Sequence, residues 1–247
     1  MVRNLLIQYG NFLFRYRNYL FPAVLVVLVA FTAPMTAIPW PFTPLLGLAL
    51  VLMGEAIRSS VIGLVYIKRG GINKRIYADE LVTSGIFSHC RNPLYVGNLF
   101  ILSGFLVTHN NPWVYALGGA FFLLSYAAIV TAEEAFLGNK FGEEYAAYCR
   151  EVPRWGFRFR DLGRTFQSTR FSWKRVVAKD YSTMTTWAIF LIILNTNNLV
   201  YPMQPSDRGI IINGAAAIAV VIVSGVFIRI VKKRGWLNED PATSATD

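Results

Sequence analysis

The stretch YVGNLFILSGFLVTHNNPWVYALGGAFFLLSYAAIVTAEE, residues 95–134, holds two apolar runs, 95–107 and 113–131, parted by HNNP at 109–112 and closed by two glutamates. Asparagine and proline together are turn residues, so the stretch reads as a helical hairpin. The two adjacent carboxylates at its end cannot both face lipid, and one of them must meet a cavity or a cation.

The rest of the chain has the same character. Four further apolar stretches, 19–38, 44–67, 181–201 and 209–231, each approach or exceed the roughly 20 residues that span a bilayer as a helix. Across the 247 residues, 54% are hydrophobic and 15% charged, with mean hydropathy +0.42, which excludes an ordinary soluble globule. The expected fold is all-α: a polytopic membrane bundle of about six transmembrane helices, including the hairpin, with interfacial helices on the cytoplasmic side. Basic side chains decide the orientation, since cytoplasmic flanks collect them. Of the 24 lysines and arginines, 22 fall before the first span, in the loops at 68–91 and 140–179, or at the end of the last span. Arg58 lies inside the second span and Arg208 alone lies on the opposite side. Both termini are therefore expected in the cytoplasm. The first span is read as a retained helix, because its apolar run is too long for a signal core and lacks a small-residue cleavage site. Residues 1–180 form the expected core, and 181–247 add two helices and a polar tail.

The net charge of +10 follows from topology and contact with anionic membrane lipid, so no nucleic-acid partner is expected. Cys90 and Cys149 both fall on the cytoplasmic side, where disulfides are rare, and two cysteines with two histidines make no zinc site.

Three pieces carry polar groups that a membrane bundle does not require. The loop 68–93, KRGGINKRIYADELVTSGIFSHCRNP, is longer than a simple link, and Gly70, Gly71 and Gly85 permit tight turns in it. Asn92-Pro93 starts a helix, leaving the Leu94 and Tyr95 N–H groups to a carboxylate or phosphate. After Glu133 and Glu134, the apolar set Phe136, Leu137, Phe141, Tyr145 and Tyr148 opposes Lys140, Glu143, Glu144 and Glu151. This reads as an interfacial amphipathic helix, interrupted at Gly138 or Gly142 and ended by Pro153. In the second span, Glu55 and Arg58 share a face as an ion pair or as support for a cytoplasmic pocket. His89 reads as a solvated interfacial histidine and His109 as a turn residue. The aromatic and basic segment 154–179 reads as a second interfacial stretch or a lid over a substrate door. No GxGxxG, P-loop, HExxH or GxSxG motif occurs.

Together these pieces resemble the integral membrane methyltransferases that include isoprenylcysteine carboxyl methyltransferase and the phospholipid methyltransferases. The family pattern LVTxGPYxxxRHPxYxG stands here as LVTSGIFSHCRNPLYVG, 81–97. The pattern EExxLxxxFGxxYxxYxxxVPR stands as EEAFLGNKFGEEYAAYCREVPR, 133–154, and GEAIR, 54–58, looks like the family's preceding helix. The resemblance implies a cytoplasmic pocket for S-adenosyl-L-methionine. Its contacts carry over to Asp79, Glu80, Leu81, Val82, Phe87, Asn92, Pro93, Leu94, Tyr95 and Glu133, with Glu55, Arg58 and Arg154 as weaker candidates for the substrate. It also implies a lipophilic or lipid-modified acceptor arriving sideways from the bilayer. Three positions depart from the pattern: Asn92 replaces histidine, Phe87 replaces tyrosine, and Ile129 stands where the prenylcysteine enzymes carry a substrate-binding arginine. Two rivals share parts of this pattern. Membrane sterol and enone reductases, which bind NADPH, have a related loop, and a non-catalytic scaffold could use the same bundle.

Overall fold

The computed structural model describes residues 2–34, 42–64, 75–168, 170–200 and 208–237. Its regular elements are helical: α1 (Val2–Phe31), α2 (Phe42–Leu64), α3 (Pro93–His109), α4 (Pro112–Glu151), α5 (Leu162–Ser168), α6 (Trp173–Val200) and α7 (Arg208–Lys233), with one turn of 3-10 helix at Gly85–Ser88 before α3. The chain is a helical membrane bundle. Of the six expected spans, α1, α2, α4 and α7 are long and apolar enough to cross a bilayer by length and composition. The α3 helix is apolar but has only 17 residues, and α6 carries Asp180 and several asparagines, which lower its hydropathy.

The first helix starts well before residue 19. Nothing in 2–18 breaks a helix, and its arginines and leucines are good helix formers. Its buried residues Gly10, Leu13, Phe14, Phe21 and Leu25 continue one stripe across both halves. That stripe lies on α4. A Cβ at Gly10 would collide with the Ala128 carbonyl, while Phe21 meets Tyr126 edge-on at 5.3 Å and Leu28 reaches Gly118. The two helices therefore run antiparallel.

The hairpin forms where HNNP predicts it. Asn110 adopts the left-handed conformation (φ 56°, ψ 47°), which asparagine tolerates better than most residues. Asn111 then caps α4, its side-chain oxygen accepting from the N–H groups of Trp113 at 2.9 Å and Val114 at 3.4 Å. His109 is buried at the end of α3, with Nε2 2.8 Å from Thr32 Oγ1. The long α4 breaks at Gly142 (φ 53°, ψ −122°), one of the two interruption points expected, and ends just before Pro153.

Glycines set the distance between α2 and α3. A Cβ at Gly97 would stand 2.8 Å from the Gly54 carbonyl oxygen and 2.7 Å from Arg58 Cγ, and one at Gly104 would stand 2.5 Å from the Gly47 carbonyl oxygen. Small residues seven apart on both helices thus let the backbones touch. The α6 and α7 helices pack antiparallel in the same way, Gly214 facing Thr196 and Gly225 facing Thr185.

The segment 154–179 contains α5 and the start of α6, and it is fastened to the loop before α3. His89 is the fastener, and it is buried rather than solvated. Its Nδ1 lies 2.6 Å from the Arg158 carbonyl oxygen and its Nε2 lies 2.8 Å from Thr165 Oγ1. Its own carbonyl accepts the Arg158 N–H at 2.9 Å. Burial behind α5 is what removes this imidazole from water, an arrangement that local sequence does not encode. A small apolar cluster of Val61, Leu64 and Ile86, with Phe157, Leu162 and Phe171 against it, completes the contact.

Candidate active site

A cavity of about 770 Å³ lies between α1, α3 and α6 and reaches the segment before α3. Its two ends differ in chemistry. Beside the first turn of α3 it is lined by Phe87, Arg91, Asn92, Tyr95, Arg17 and Glu133; further along the same helices it is lined by Phe21, Leu25, Ile101, Leu102 and Phe105. A polar or charged group fits the first end and a hydrocarbon chain the second.

Six of the ten expected cofactor contacts line this cavity: Phe87, Asn92, Pro93, Leu94, Tyr95 and Glu133. Asp79, Glu80, Leu81 and Val82 do not. They lie in the irregular segment beyond it, where the Tyr77 hydroxyl donates to Asp79 and Tyr77 itself forms part of the wall. Lys68, Arg69, Gly70, Gly71 and Lys74 fall outside the described residues.

Tyr95 is the centre of the polar end. Its hydroxyl donates to Glu133 Oε1 at 2.6 Å and accepts from Arg17 Nη1 at 2.7 Å. The two glutamates divide as their adjacency requires. Glu133 faces the cavity, and Glu134 lies between two guanidinium groups, 3.1 Å from Arg91 Nη1 and 3.0 Å from Arg154 Nη2. Arg154 also donates to Thr131 Oγ1 at 2.8 Å and does not line the cavity. Asn92 does not cap α3 with its side chain. It donates through Nδ2 to the Arg154 carbonyl oxygen at 3.1 Å, joining the two sequence motifs. The Tyr95 N–H is bonded to the Asn92 carbonyl oxygen at 3.1 Å.

Arg58 lines the cavity and Glu55 lies behind it. The two are only loosely paired at 3.9 Å, because Arg58 is held elsewhere. Its Nε and Nη2 fork onto both carboxylate oxygens of Asp180 on α6, the Nε bond measuring 3.1 Å, and Nη1 donates to Asn98. Glu55 accepts from Trp187 Nε1 at 3.1 Å and Ser59 Oγ at 3.2 Å. The sequence reading did not select Arg17, Asn98, Tyr126, Asp180 or Trp187. One signal was available: Arg58 lies inside one apolar run and Asp180 at the edge of another, and charges so placed seek opposite partners. The α6 helix crosses the boundary expected at 180/181, with Lys179 on one side and Ser182, Thr183, Thr186 and Trp187 on the other all lining the cavity.

Near this end Cys90 is fully buried, and burial pushes its thiol up to about 11. Cys149 is half-buried and accepts from Arg91 Nη1 at 2.8 Å. Among the described residues, no three His, Cys, Asp or Glu side chains gather where they could hold a metal ion.

The phospholipid methyltransferase family pattern matches residues 42–144, from the start of α2 to just past the α4 kink. Over this segment the chain is similar to the phospholipid methyltransferases. The segment contains α2, the loop, the hairpin and Glu133, while Arg17 and α6 reach the cavity from outside it. Protein-S-isoprenylcysteine O-methyltransferase of Mus musculus is 33% identical over 115 residues, 43% of this chain and 38% of that protein. The Rattus norvegicus protein of the same name gives the same figures. The cobalt-zinc-cadmium resistance protein CzcN of Cupriavidus metallidurans is 40% identical over 75 residues, 30% of this chain and 34% of that protein. The chain thus spans about a third of the length of the curated relatives it matches. No solved structure matches.

Proposed function

We propose that the protein is an S-adenosyl-L-methionine-dependent methyltransferase acting on a lipophilic acceptor that enters the cavity from the bilayer. The observation that carries this reading is the graded cavity on the phospholipid methyltransferase segment, with charged and aromatic groups at one end and hydrocarbon at the other. The donor set suits the cofactor: Glu133 offers a carboxylate to an ammonium or hydroxyl, and Phe87 and Tyr95 offer ring faces to a sulfonium. When bound, the cofactor would supply an electrophilic methyl group for in-line displacement. What remains for the protein is to align the acceptor and exclude water.

The side chains limit the acceptor. Among the described residues no histidine lines the cavity, and Glu133 is the one carboxylate that does. A carboxylate acceptor needs no base, which suits a cavity whose carboxylate is assigned to the cofactor. The mouse and rat relatives, by name, methylate a prenylcysteine, and such an acceptor would place its prenyl chain against Phe21, Leu25 and Phe105. We place both termini and the loops at 75–91 and 154–172 on the cytoplasmic side, from the clustering of basic residues there.

The experiment is transfer of labelled methyl from S-adenosyl-L-methionine by the full chain in proteoliposomes, offered a farnesylcysteine derivative or phosphatidylethanolamine. Label in the organic extract that falls at least 100-fold in Glu133→Gln supports the proposal. Transfer unaffected by Glu133→Gln would contradict the placement of the site.

A further inference from the structure

Among the described residues three arginines line the cavity, and two of them have carboxylate partners. Arg58 is held by Asp180, and Arg91 by Glu134. Arg17 is different: among the described residues its hydrogen-bond partner is the neutral hydroxyl of Tyr95, and no carboxylate lies within ion-pair distance. The ring of Phe14, with its centroid 4.3 Å from the guanidinium carbon, and that of Tyr95, at 5.6 Å, hold the group in place without neutralising it. A guanidinium carries five donors in a planar fork, and those not bonded to Tyr95 remain for a ligand. A cation in such surroundings favours an anion.

The nearest negative charge facing the cavity is Glu133, on the other side of the same hydroxyl. Bonds of 2.7 and 2.6 Å from Tyr95 put the two charges roughly 5 Å apart, too far for a direct ion pair. That separation accommodates a molecule carrying an ammonium next to a carboxylate, with the ammonium on Glu133 and the carboxylate on Arg17. We propose that Arg17 binds the α-carboxylate of the methyl donor's amino-acid end, completing with Glu133 a zwitterion site bridged by Tyr95; this rests on the cofactor reading above. The position of Arg17 follows from packing. Gly10 brings α1 onto α4 at Ala128 and Ala132, and Arg17, seven residues on, falls on the same face, opposite the first turn of α3. The apolar end lies further along toward Leu25 and Phe105, so a zwitterion at Arg17 leaves that space to the acceptor chain.

The test is calorimetric titration of the detergent-solubilised full chain with S-adenosylhomocysteine and with its decarboxylated analogue. A charge-assisted, bidentate contact makes the wild type prefer the carboxylate-bearing ligand by about ten- to a hundredfold. Arg17→Met abolishes that preference by weakening S-adenosylhomocysteine while leaving the analogue's affinity unchanged. Arg17→Lys keeps the charge without the fork and retains a reduced preference; it is the arm that remains if Arg17→Met does not fold. If Arg17→Met weakens both ligands equally, the residue is structural and the assignment fails. It fails also if the preference survives the substitution. If folded wild type binds neither compound, the cofactor reading itself falls and the assignment with it, an outcome distinct from binding without preference.

Discussion

Tyr95 joins a guanidinium on α1 to a carboxylate on α4, its hydroxyl touching both. Tyr95→Phe keeps the ring and removes that link, so Glu133 loses its donor at a cost of about 1–3 kcal/mol. The expected result is a lower unfolding temperature together with a weaker affinity for S-adenosylhomocysteine, read by a thermal melt and by calorimetry. The two cysteines give a second check. Because burial raises the Cys90 thiol from its ordinary 9.0 to about 11, its neutral form is favoured in the folded state. That contribution to stability is fully present below pH 9 and is lost as pH rises through about 11. At pH 8 a maleimide should modify the half-buried Cys149 first and reach Cys90 only as the protein unfolds, as mass spectrometry of the two peptides would show. Most of this scale was hidden in the sequence. Glu133 and Tyr95 stood in legible motifs, but Arg17 looked like one more membrane-flanking charge, and only the packing of α1 on α4 turns it inward.

At the scale of elements, the contact between α2 and α3 depends on the absence of side chains. Gly97→Val would drive a branched side chain into the Gly54 carbonyl and the stem of Arg58, forcing the helices apart at a cost of about 1–3 kcal/mol or more. Since Arg58 would be displaced with it, the variant should lose thermal stability and ligand affinity together, whereas Gly119→Ala, where a Cβ meets nothing within 4 Å, should change neither. Gly142 is an element boundary of another kind. Its positive φ favours glycine, so Gly142→Ala should destabilise the break by about 1 kcal/mol and lengthen the distance between spin labels on either side of it. The hairpin, its turn and this break were all readable, because Asn, Pro and Gly act through local backbone preference. The early start of α1 was not: its charged residues interrupt the apolar run that marks a span, yet they leave the helix and its buried stripe intact. His89 was misread for a related reason, since the segment that buries it arrives some 70 residues later in the chain.

For the whole molecule, the cavity is incomplete without the flanks of the segment that matches the phospholipid methyltransferase family. The α6 helix is fastened to α2 by Arg58 and Asp180, both less than 8% exposed, and it supplies one wall of the cavity. Removing one member of a buried pair leaves the other charge uncompensated at about 3–5 kcal/mol. Asp180→Ala should therefore lower the unfolding temperature sharply, and the double variant Asp180→Ala/Arg58→Met should recover part of the loss. A wild-type-like melt for Asp180→Ala would mean that α6 is not anchored there. The membrane class and the helical architecture were legible from hydropathy alone, because the bilayer admits few solutions. The participation of α1 and α6 in the site was not, since the motifs that drew attention lie between them.

The measurement that bears most directly on the function is titration of the detergent-solubilised full chain with S-adenosylhomocysteine and, separately, with NADPH, beside a Glu133→Gln variant. Methyl-donor chemistry predicts saturable binding of S-adenosylhomocysteine that the variant loses, and no binding of NADPH. Binding of NADPH alone, by protein that elutes as a single folded species, would contradict the methyltransferase reading and assign the cavity to a reductase.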